Sequence, residues 1–200
     1  MRRLLLAVAL TACGTDAGGF HGTVMPELRP APPIRLVEHG GRMFDLAGQR
    51  GRVVLLFFGY THCPDVCPTT LADWRRVKGT LGADTARVRF VFVSTDPARD
   101  TPEAAQAYAR RFDPSFVGLA GDSATTAALE RAYMIASYRA PARDSSGATI
   151  PDPHAGHASY TVAHSSRTFV IDEAGRWRLI MPEGAGAGMI ASDVKRLLDE

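Results

Sequence analysis

The sequence predicts one α/β domain in which helices cover both faces of a mixed β-sheet. Two long apolar runs, at residues 52–58 and 88–93, are each followed by residues with helical periodicity, which is the order of parallel strand–helix crossovers. A later segment, residues 167–181, carries two strand-like stretches around a short turn, as an antiparallel hairpin does. Because parallel crossovers precede an antiparallel pair, the predicted sheet is mixed. A chain of 200 residues is long enough to bury one such core.

The first residues, MRRLLLAVALTAC, have the features of a secretory signal: two arginines, a short apolar run and small residues at its end. The ending LTAC resembles the lipobox of bacterial lipoproteins. We therefore predict that residues 1–12 are a signal peptide and that Cys13 carries the lipid of the mature protein; an ordinary cleavage site is the alternative. Export places the domain on the periplasmic or extracytoplasmic face of the membrane, in an oxidising compartment.

The charge balance argues against a nucleic-acid partner. The chain has 23 basic and 21 acidic residues, and removal of residues 1–12 deletes two arginines and no acid, which leaves 21 of each. A nucleic-acid-binding domain carries a strong basic excess on one face, and no run of like charge is present in this sequence.

The elements follow in order along the mature chain. Residues 13–33, rich in Gly and Pro, are predicted to be a flexible tether, and residues 34–200 the folded domain. A hairpin is predicted over residues 34–46, and the unbroken apolar run ending at Tyr60 predicts a central strand that is covered on both faces. Helices are predicted, from apolar spacing and from the caps Thr101 and Asp122, over residues 69–82, 101–112, 122–137 and 187–198. Residues 139–159 are loop-like, and the whole order is compatible with a thioredoxin-like fold.

Cys63 and Cys67 lie four residues apart in THCPDVCPTT, directly after the predicted central strand. Pro64 and Pro68 disfavour helical backbone at the residues before them, so CPDVC is predicted to be a loop that ends at a helix N-terminus near Cys67. The oriented N–H groups of a helix N-terminus lower the pKa of a thiol. Such a dithiol exchanges disulfides or binds a soft metal such as copper. A structural disulfide is the alternative, although so short a ring adds little stability.

Two thiolates leave a copper site incomplete, and an imidazole is the natural third ligand. His21, in the tether, and His39, in a hairpin turn, are predicted to be bystanders, whereas His62 adjoins Cys63. The remaining candidates are the loop pair HAGH, which is either a weak accessory site or two solvated side chains, and a histidine just before a strand: His154, His157 and His164. The residues alone leave the choice open.

Three motifs, FGYTHCPDVCPTTL, VSTDPARDTPE and YTVAHSS, together resemble the Sco (SenC) family of copper proteins over roughly residues 32–200. This resemblance implies a thioredoxin-like fold, a membrane anchor, and a role in assembling the binuclear copper centre of cytochrome c oxidase. It also implies that copper is bound by Cys63, Cys67 and His164. The expected partners are the copper subunit of the oxidase or another copper chaperone.

The predicted function is therefore a metallochaperone, and whether the protein is also an enzyme stays open. The alternative is a thiol–disulfide oxidoreductase that uses Cys63 and Cys67 as catalytic residues to reduce client cysteines before metallation. A peroxidase is a third option, but nothing near the pair suggests an arginine that positions peroxide.

The sequence departs from the family at one position near the histidine. The family commonly has an acid just before it, whereas this chain has Ala163. Such an acid orients the imidazole or tunes the metal, so its loss bears on the affinity and redox preference of the copper site and not on the ligand set. Asp96, in the STDP motif, either supplies charge near the site or caps its own turn.

Overall fold

The computed structural model describes residues 19–144, 146–150 and 160–200. The strands of this part of the chain are β1 Thr23–Val24, β2 Arg35–Val37, β3 Met43–Asp45, β4 Val53–Gly59, β5 Val88–Ser94, β6 Val117–Leu119, β7 Ser137–Pro141, β8 Tyr160–His164, β9 Thr168–Ile171 and β10 Trp177–Met181. The helices are α1 Val66–Leu81, α2 Pro102–Arg110, α3 Ser123–Ala132 and α4 Ala187–Leu198.

Six strands form the central sheet in the order β1-β10-β9-β4-β5-β6. β5 pairs in parallel with β4 and β6, whereas β9 is antiparallel to both β4 and β10. All seven residues of β4 are buried, because the strand lies between two others and is covered on both faces. The predicted mixed sheet and its central strand are confirmed.

Two cores cover the faces of the sheet. One packs α1, α2 and α4 around an aromatic cluster in which the Trp74 ring contacts Phe90 and Phe116. The other packs α3 and the β2–β3 hairpin on the opposite face, with Tyr133 against Phe58. Helices therefore lie on both faces, as the order of elements predicts, and the arrangement is that of a thioredoxin-like domain.

The predicted caps of two helices are confirmed in atomic detail. The Thr101 hydroxyl accepts a hydrogen bond from the backbone N–H of Ala104, and the Asp122 carboxylate accepts one from Thr125. Each bond satisfies an N–H that has no partner within its own helix. α2 and α3 consequently begin close to the positions that the sequence predicts.

The tether prediction is wrong for the described part of residues 13–33. β1 extends the sheet by pairing with β10, and the buried Asp193 carboxylate of α4 accepts hydrogen bonds from the backbone N–H groups of His21 and Gly22. Further along, the Tyr133 hydroxyl donates to the carbonyl of Pro32 at 2.7 Å. The segment has few apolar residues, but its backbone groups find partners on the domain. Cys13, its predicted lipid and residues 1–18 lie outside the described residues.

The predicted loop at residues 139–159 begins with a strand. β7 pairs antiparallel with β8 and forms a two-stranded sheet apart from the central one. The paired residues are 19 to 27 positions apart in the sequence, so no tight turn marks the pairing. His154 and His157 lie outside the described residues. Among the helices that the structure describes, none has the length and apolar content needed to cross a bilayer.

Candidate metal centre

The cysteine loop leaves the carboxyl end of β4, where open α/β sheets place their sites. α1 begins at Val66, so Cys67 lies within the first helical turn and Cys63 in the loop before it. The prediction that Pro68 keeps Cys67 out of the helix is therefore wrong. Cys67 is nonetheless close to the helix N-terminus, as expected, and its backbone N–H donates to Cys63 Sγ at 3.4 Å.

The two sulfurs and one imidazole converge. Sγ of Cys63, Sγ of Cys67 and a ring nitrogen of His164 all lie within 4.8 Å of one another. Sγ of Cys67 lies 3.6 Å from Nε2 of His164. The structure thus brings together the three predicted ligands, although 97 residues separate Cys67 from His164. It is the one such His, Cys or carboxylate group in the described part of the chain.

The other described histidines are outside this group. His21 is bound to Asp193, and the ring of His39 is 3.7 Å from the Glu103 carboxylate. His62 is adjacent to Cys63 in the chain, but its Nδ1 faces Thr61 Oγ1 at 3.0 Å. His21 and His39, predicted to be bystanders, thus have their side-chain contacts with carboxylates and not with the two sulfurs.

A buried carboxylate fixes the start of the cysteine loop. Asp100, 3% exposed, accepts hydrogen bonds from both the backbone N–H and the hydroxyl of Thr61, at 2.9 and 2.6 Å. Ser94, at the end of β5, donates to the same carboxylate. Because hydrogen bonds to an ionised acceptor are stronger than neutral ones, this network holds the loop firmly against the sheet.

Gly59 provides the space for the inner sulfur. A Cβ at this position would lie 2.7 Å from Cys67 Sγ and 2.8 Å from the Phe57 ring. Both distances are far shorter than a normal van der Waals contact, so any larger residue displaces the sulfur or the ring. The glycine at the end of β4 is thus part of the site.

His164 is held by its strand and by two aromatic rings. It is the last residue of β8 and pairs with Ser137 of β7. Phe57 and Tyr60 meet the imidazole edge-on, with ring centroids 6.0 and 5.8 Å away. His164 Nδ1 lies 3.4 Å from the carbonyl oxygen of Ser165. When Nδ1 carries the proton and faces this carbonyl, the lone pair of Nε2 is free to bind a metal next to Cys67.

The β7–β8 hairpin that carries His164 is clamped to the central domain. The Tyr160 hydroxyl, at the start of β8, donates to the fully buried Asp96 carboxylate at 2.8 Å. The Arg99 guanidinium pairs with Asp96, lies 3.6 Å from the centroid of the Tyr160 ring and donates to the Tyr160 carbonyl. We call these three residues the hairpin clamp. The sequence predicts that Asp96 either supplies charge near the site or caps its own turn. Its carboxylate instead makes its main contacts with Tyr160 and Arg99, and so holds the hairpin.

The two thiols differ in acidity. The pKa of Cys63 is lowered to about 4, chiefly by a hydrogen bond from the Cys67 thiol. Burial opposes this shift, whereas hydrogen bonds from His164 and from backbone N–H groups add to it. The pKa of Cys67 is strongly raised, because its thiol donates to Cys63 and because the side chain is fully buried. Cys63 is therefore the partly exposed thiolate and Cys67 the buried thiol.

This donor set suits a soft cation. Two sulfurs and an imidazole match copper(I), which accepts two or three ligands of this kind. Cys63 is partly exposed, whereas Cys67 is buried. One side of the group is therefore accessible to a second molecule. The arrangement is equally able to exchange disulfides, since an accessible thiolate is followed by a second thiol within reach.

A thioredoxin-like domain with a CxxxC pair and a converging histidine belongs to the class of metal-binding thiol proteins. A sequence model of the SCO1/SenC family matches residues 27–199. The chain therefore belongs to the SCO1/SenC family, as its three motifs predict. It is 32% identical over 197 residues to a Stutzerimonas stutzeri protein named for copper binding. The match covers 96% of this chain and 86% of the relative.

Solved structures agree in fold. The apo Sco1 protein of Thermus thermophilus matches with a TM-score of 0.75 and 32% identity, over 91% of this chain and 99% of that one. Bradyrhizobium japonicum ScoI, solved with copper bound, matches with a TM-score of 0.70 and 32% identity, over 84% and 99% of the two chains. The predicted thioredoxin-like fold is confirmed.

Proposed function

We propose that the chain is a membrane-anchored copper metallochaperone that delivers copper to the binuclear copper centre of cytochrome c oxidase. The observation that carries this proposal is the convergence of Cys63, Cys67 and His164 within 4.8 Å. Copper in the related Bradyrhizobium ScoI supports the choice of metal. Copper is the cargo here, so the site has to release it as well as bind it.

The geometry accounts for both steps. Cys63, already a thiolate at neutral pH, is the first donor that an incoming copper ion meets. The buried Cys67 then loses its proton as it binds, and His164 completes the set from the other side. A partner thiolate displaces these donors one at a time, because two or three ligands leave copper(I) open to attack. The partner is the copper subunit of the oxidase or another copper chaperone.

The location is part of the proposal. A lipid on Cys13 keeps the domain at the periplasmic or extracytoplasmic face of the membrane, where a membrane-embedded oxidase presents its copper centre. Mass spectrometry of the mature protein tests this directly. We expect a diacylated N-terminal Cys13 in the membrane fraction, and Cys13→Ser is expected to remove both the lipid and the membrane association.

Copper titration of the reduced chain under anaerobic conditions tests the ligand set. We expect one copper per wild-type chain, at least roughly tenfold weaker binding in His164→Ala, and loss of the site in Cys63→Ser. His39→Ala is the matched control, since this exposed histidine lies in the β2–β3 hairpin. Equal affinity and equal spectra in wild type and His164→Ala would remove the histidine from the site.

A second function, thiol–disulfide exchange, is favoured by one observation: the low pKa of Cys63 beside a buried, protonated Cys67. In this reaction the Cys63 thiolate attacks a client disulfide and releases one client thiolate. Cys67 then loses its proton and attacks the mixed disulfide, which releases the second client thiolate and leaves Cys63 and Cys67 oxidised.

Replacement of the second cysteine separates the two functions. We expect Cys67→Ser to accumulate a mixed disulfide between Cys63 and the oxidised oxidase subunit, detectable on non-reducing gels, while Cys63→Ser forms none. If His164→Ala reduces the client as fast as wild type but does not bind copper, exchange is independent of the metal. No trapped species with any client would leave copper delivery as the function.

A further inference from the structure

A cavity lies at the edge of the sheet opposite the metal centre. Cys63 and Cys67 follow the carboxyl end of β4, whereas this cavity of about 560 Å³ opens beside the amino ends of β4 and β5. Its walls come from the β2–β3 hairpin, from α1 and from the segments that precede β4, β5 and β6. The residues of the metal centre do not line it.

Cationic side chains dominate the walls of this cavity. The cavity is lined by one carboxylate, Glu38, and by four cationic side chains: Arg42, Arg52, Lys78 and Arg89. The balance is four positive charges against one negative. Gln49, Thr85 and Ser115 also line the cavity, but the hydroxyls of Thr85 and Ser115 already donate to the Lys78 carbonyl and to Asp113. We call this group the amino-edge cavity.

Two of the cations already have carboxylate partners. Arg42 Nε donates to Glu38 Oε2 at 2.8 Å, and Lys78 Nζ donates to Asp113 Oδ1 at 2.6 Å. The single carboxylate of the cavity is therefore engaged by Arg42. The other two cations are Arg52 and Arg89. Among the described residues, neither guanidinium forms an ion pair or a side-chain hydrogen bond with an acceptor that would balance its charge.

Arg89 is the unusual member of the group. It is the second residue of β5, partly buried, and its side chain lies on the sheet face covered by the β2–β3 hairpin. Its Nε is buried and has no hydrogen-bond partner among the described residues. Burial lowers the pKa of Arg89, and the nearby Arg52 and Arg42 lower it further against the opposing effect of Glu38. A buried guanidinium N–H without an acceptor costs free energy, and an anion held beside the same guanidinium would offset part of that cost.

From this geometry we infer that the amino-edge cavity binds a phosphate-type oxyanion, with Arg89 and Arg52 as its principal ligands. A guanidinium presents its N–H groups in a planar fork that matches two oxygens of a phosphate. Both side chains line the cavity, Arg52 is exposed, and the Nε–H of Arg89 has no acceptor among the described residues. Lys78 and Ser115 border the cavity on the side of α1 and β6.

The phosphate group has two possible sources, a phospholipid headgroup or a soluble phosphorylated molecule. Both present the same oxygens to the arginines. A headgroup would add an electrostatic contact with the membrane to any lipid on Cys13. The inference is independent of copper binding, because the cavity shares no residue with Cys63, Cys67 and His164.

Inorganic phosphate tests the site directly. The experiment uses the full chain with Cys13→Ser, so that no lipid on Cys13 contributes, at constant ionic strength and without copper. The arginine Nε–H signals are followed by ¹⁵N NMR during the titration. We expect the Arg89 Nε–H signal to shift and saturate, and Arg89→Gln to weaken binding at least roughly tenfold, since it loses a charge-assisted hydrogen bond.

Two further variants keep the test informative. Arg52→Gln changes an exposed side chain and is expected to weaken binding without a loss of folding, so it serves if Arg89→Gln does not fold. Arg131→Gln, an exposed arginine at the end of α3 that does not line the cavity, is expected to change binding less than about twofold. Equal responses in all three variants, or no saturable shift, would overturn the site.

Vesicles identify the source of the phosphate. Sedimentation with phosphatidylglycerol vesicles is compared with sedimentation with phosphatidylcholine vesicles. Binding to the anionic vesicles that is lost in both Arg89→Gln and Arg52→Gln supports the site and assigns it to a headgroup. Saturable binding of inorganic phosphate without vesicle binding supports the site and assigns it to a soluble phosphate compound.

Discussion

The two cysteines of the CxxxC loop are close in sequence but differ in environment. Cys67 is buried under the sheet within the first turn of α1, while Cys63 remains partly exposed. One thiol therefore donates a hydrogen bond and the other accepts it, and their acidities move in opposite directions. The asymmetry serves metal entry and thiol attack equally well.

The acidity of Cys63 predicts an unusual alkylation profile. With a pKa of about 4, Cys63 is a thiolate throughout pH 5–7, so its rate with iodoacetamide should be nearly constant there and fall below pH 4. An ordinary thiol of pKa about 8.5 would instead react roughly ten times faster per pH unit. Mass spectrometry of the alkylated peptide measures the rate.

Cys67→Ala is the matched variant for this measurement. It removes the hydrogen bond that is the largest cause of the lowered pKa, so the pH at which Cys63 becomes reactive should rise. A tenfold increase in rate per pH unit between pH 5 and 7 in the wild type would contradict the assignment of Cys63 as the thiolate.

The sequence predicts the three metal ligands, but it does not predict the residues that position them. Cys63 and Cys67 are identified by spacing and by position after a strand, and His164 by the family motif. Asp100 lies in the quoted motif VSTDPARDTPE, but its contact with Thr61 spans 39 residues and has no local signature. The role of Gly59 is not visible in the sequence either, because it depends on the position of the Cys67 sulfur in the folded structure.

At the level of the element, the β7–β8 hairpin determines where the third ligand lies. Its own sheet has two strands, so the hairpin depends on contacts with the central domain for its position. The hairpin clamp provides them through Asp96, Arg99 and Tyr160. The arginine also lies 5.7 Å from the centroid of the Tyr60 ring, which in turn meets His164.

Loosening the clamp should weaken copper binding without a change in the ligands. Tyr160→Phe removes the hydroxyl bonded to Asp96, leaving a buried carboxylate with one fewer donor, so we expect roughly three- to tenfold weaker binding of copper. The alkylation rate of Cys63 should change little. Calorimetric copper titration and the alkylation assay measure the two effects.

Tyr138→Phe is the control for the clamp, because this tyrosine is on β7 of the same hairpin but is 67% exposed. It should bind copper as the wild type does. If both variants bind copper equally, the clamp does not position His164 and the hairpin is held by other contacts.

The elements that the sequence predicts are those with a local pattern. β4 and β5 are long apolar runs, and α2 and α3 have recognisable caps. β7 is not predicted, because most of its side chains are exposed and its strand conformation comes from pairing with β8. Tertiary pairing, which spacing does not reveal, decides such segments.

At the scale of the whole molecule, the N-terminal segment supplies the edge strand β1, which pairs with β10. Thr23 pairs with Ile180, and Asp193 binds the backbone of His21 and Gly22. Phe20 packs against the core, with the Arg196 guanidinium 5.2 Å from its ring. The segment is thus part of the domain, which composition rich in Gly and Pro does not suggest.

Asp193 should contribute measurably to stability. Asp193→Asn replaces an ionised acceptor that is 2% exposed, so the free energy of unfolding should fall by about 1–3 kcal/mol. Urea denaturation followed by circular dichroism measures it. Asp84→Asn, at an exposed position, is the control and should change stability by less than about 0.5 kcal/mol. Equal stabilities of the two variants would mean that the segment is only loosely attached.

The attachment of the N-terminal segment shortens the reach of the protein. Six residues, 14–19, lie between Cys13 and the packed Phe20, and fully extended they span roughly 20–25 Å. A domain acylated at Cys13 would then sample only a thin layer of solvent beside the bilayer. Its encounters with an integral target would become a two-dimensional search, in which lateral diffusion and orientation set the rate of copper transfer.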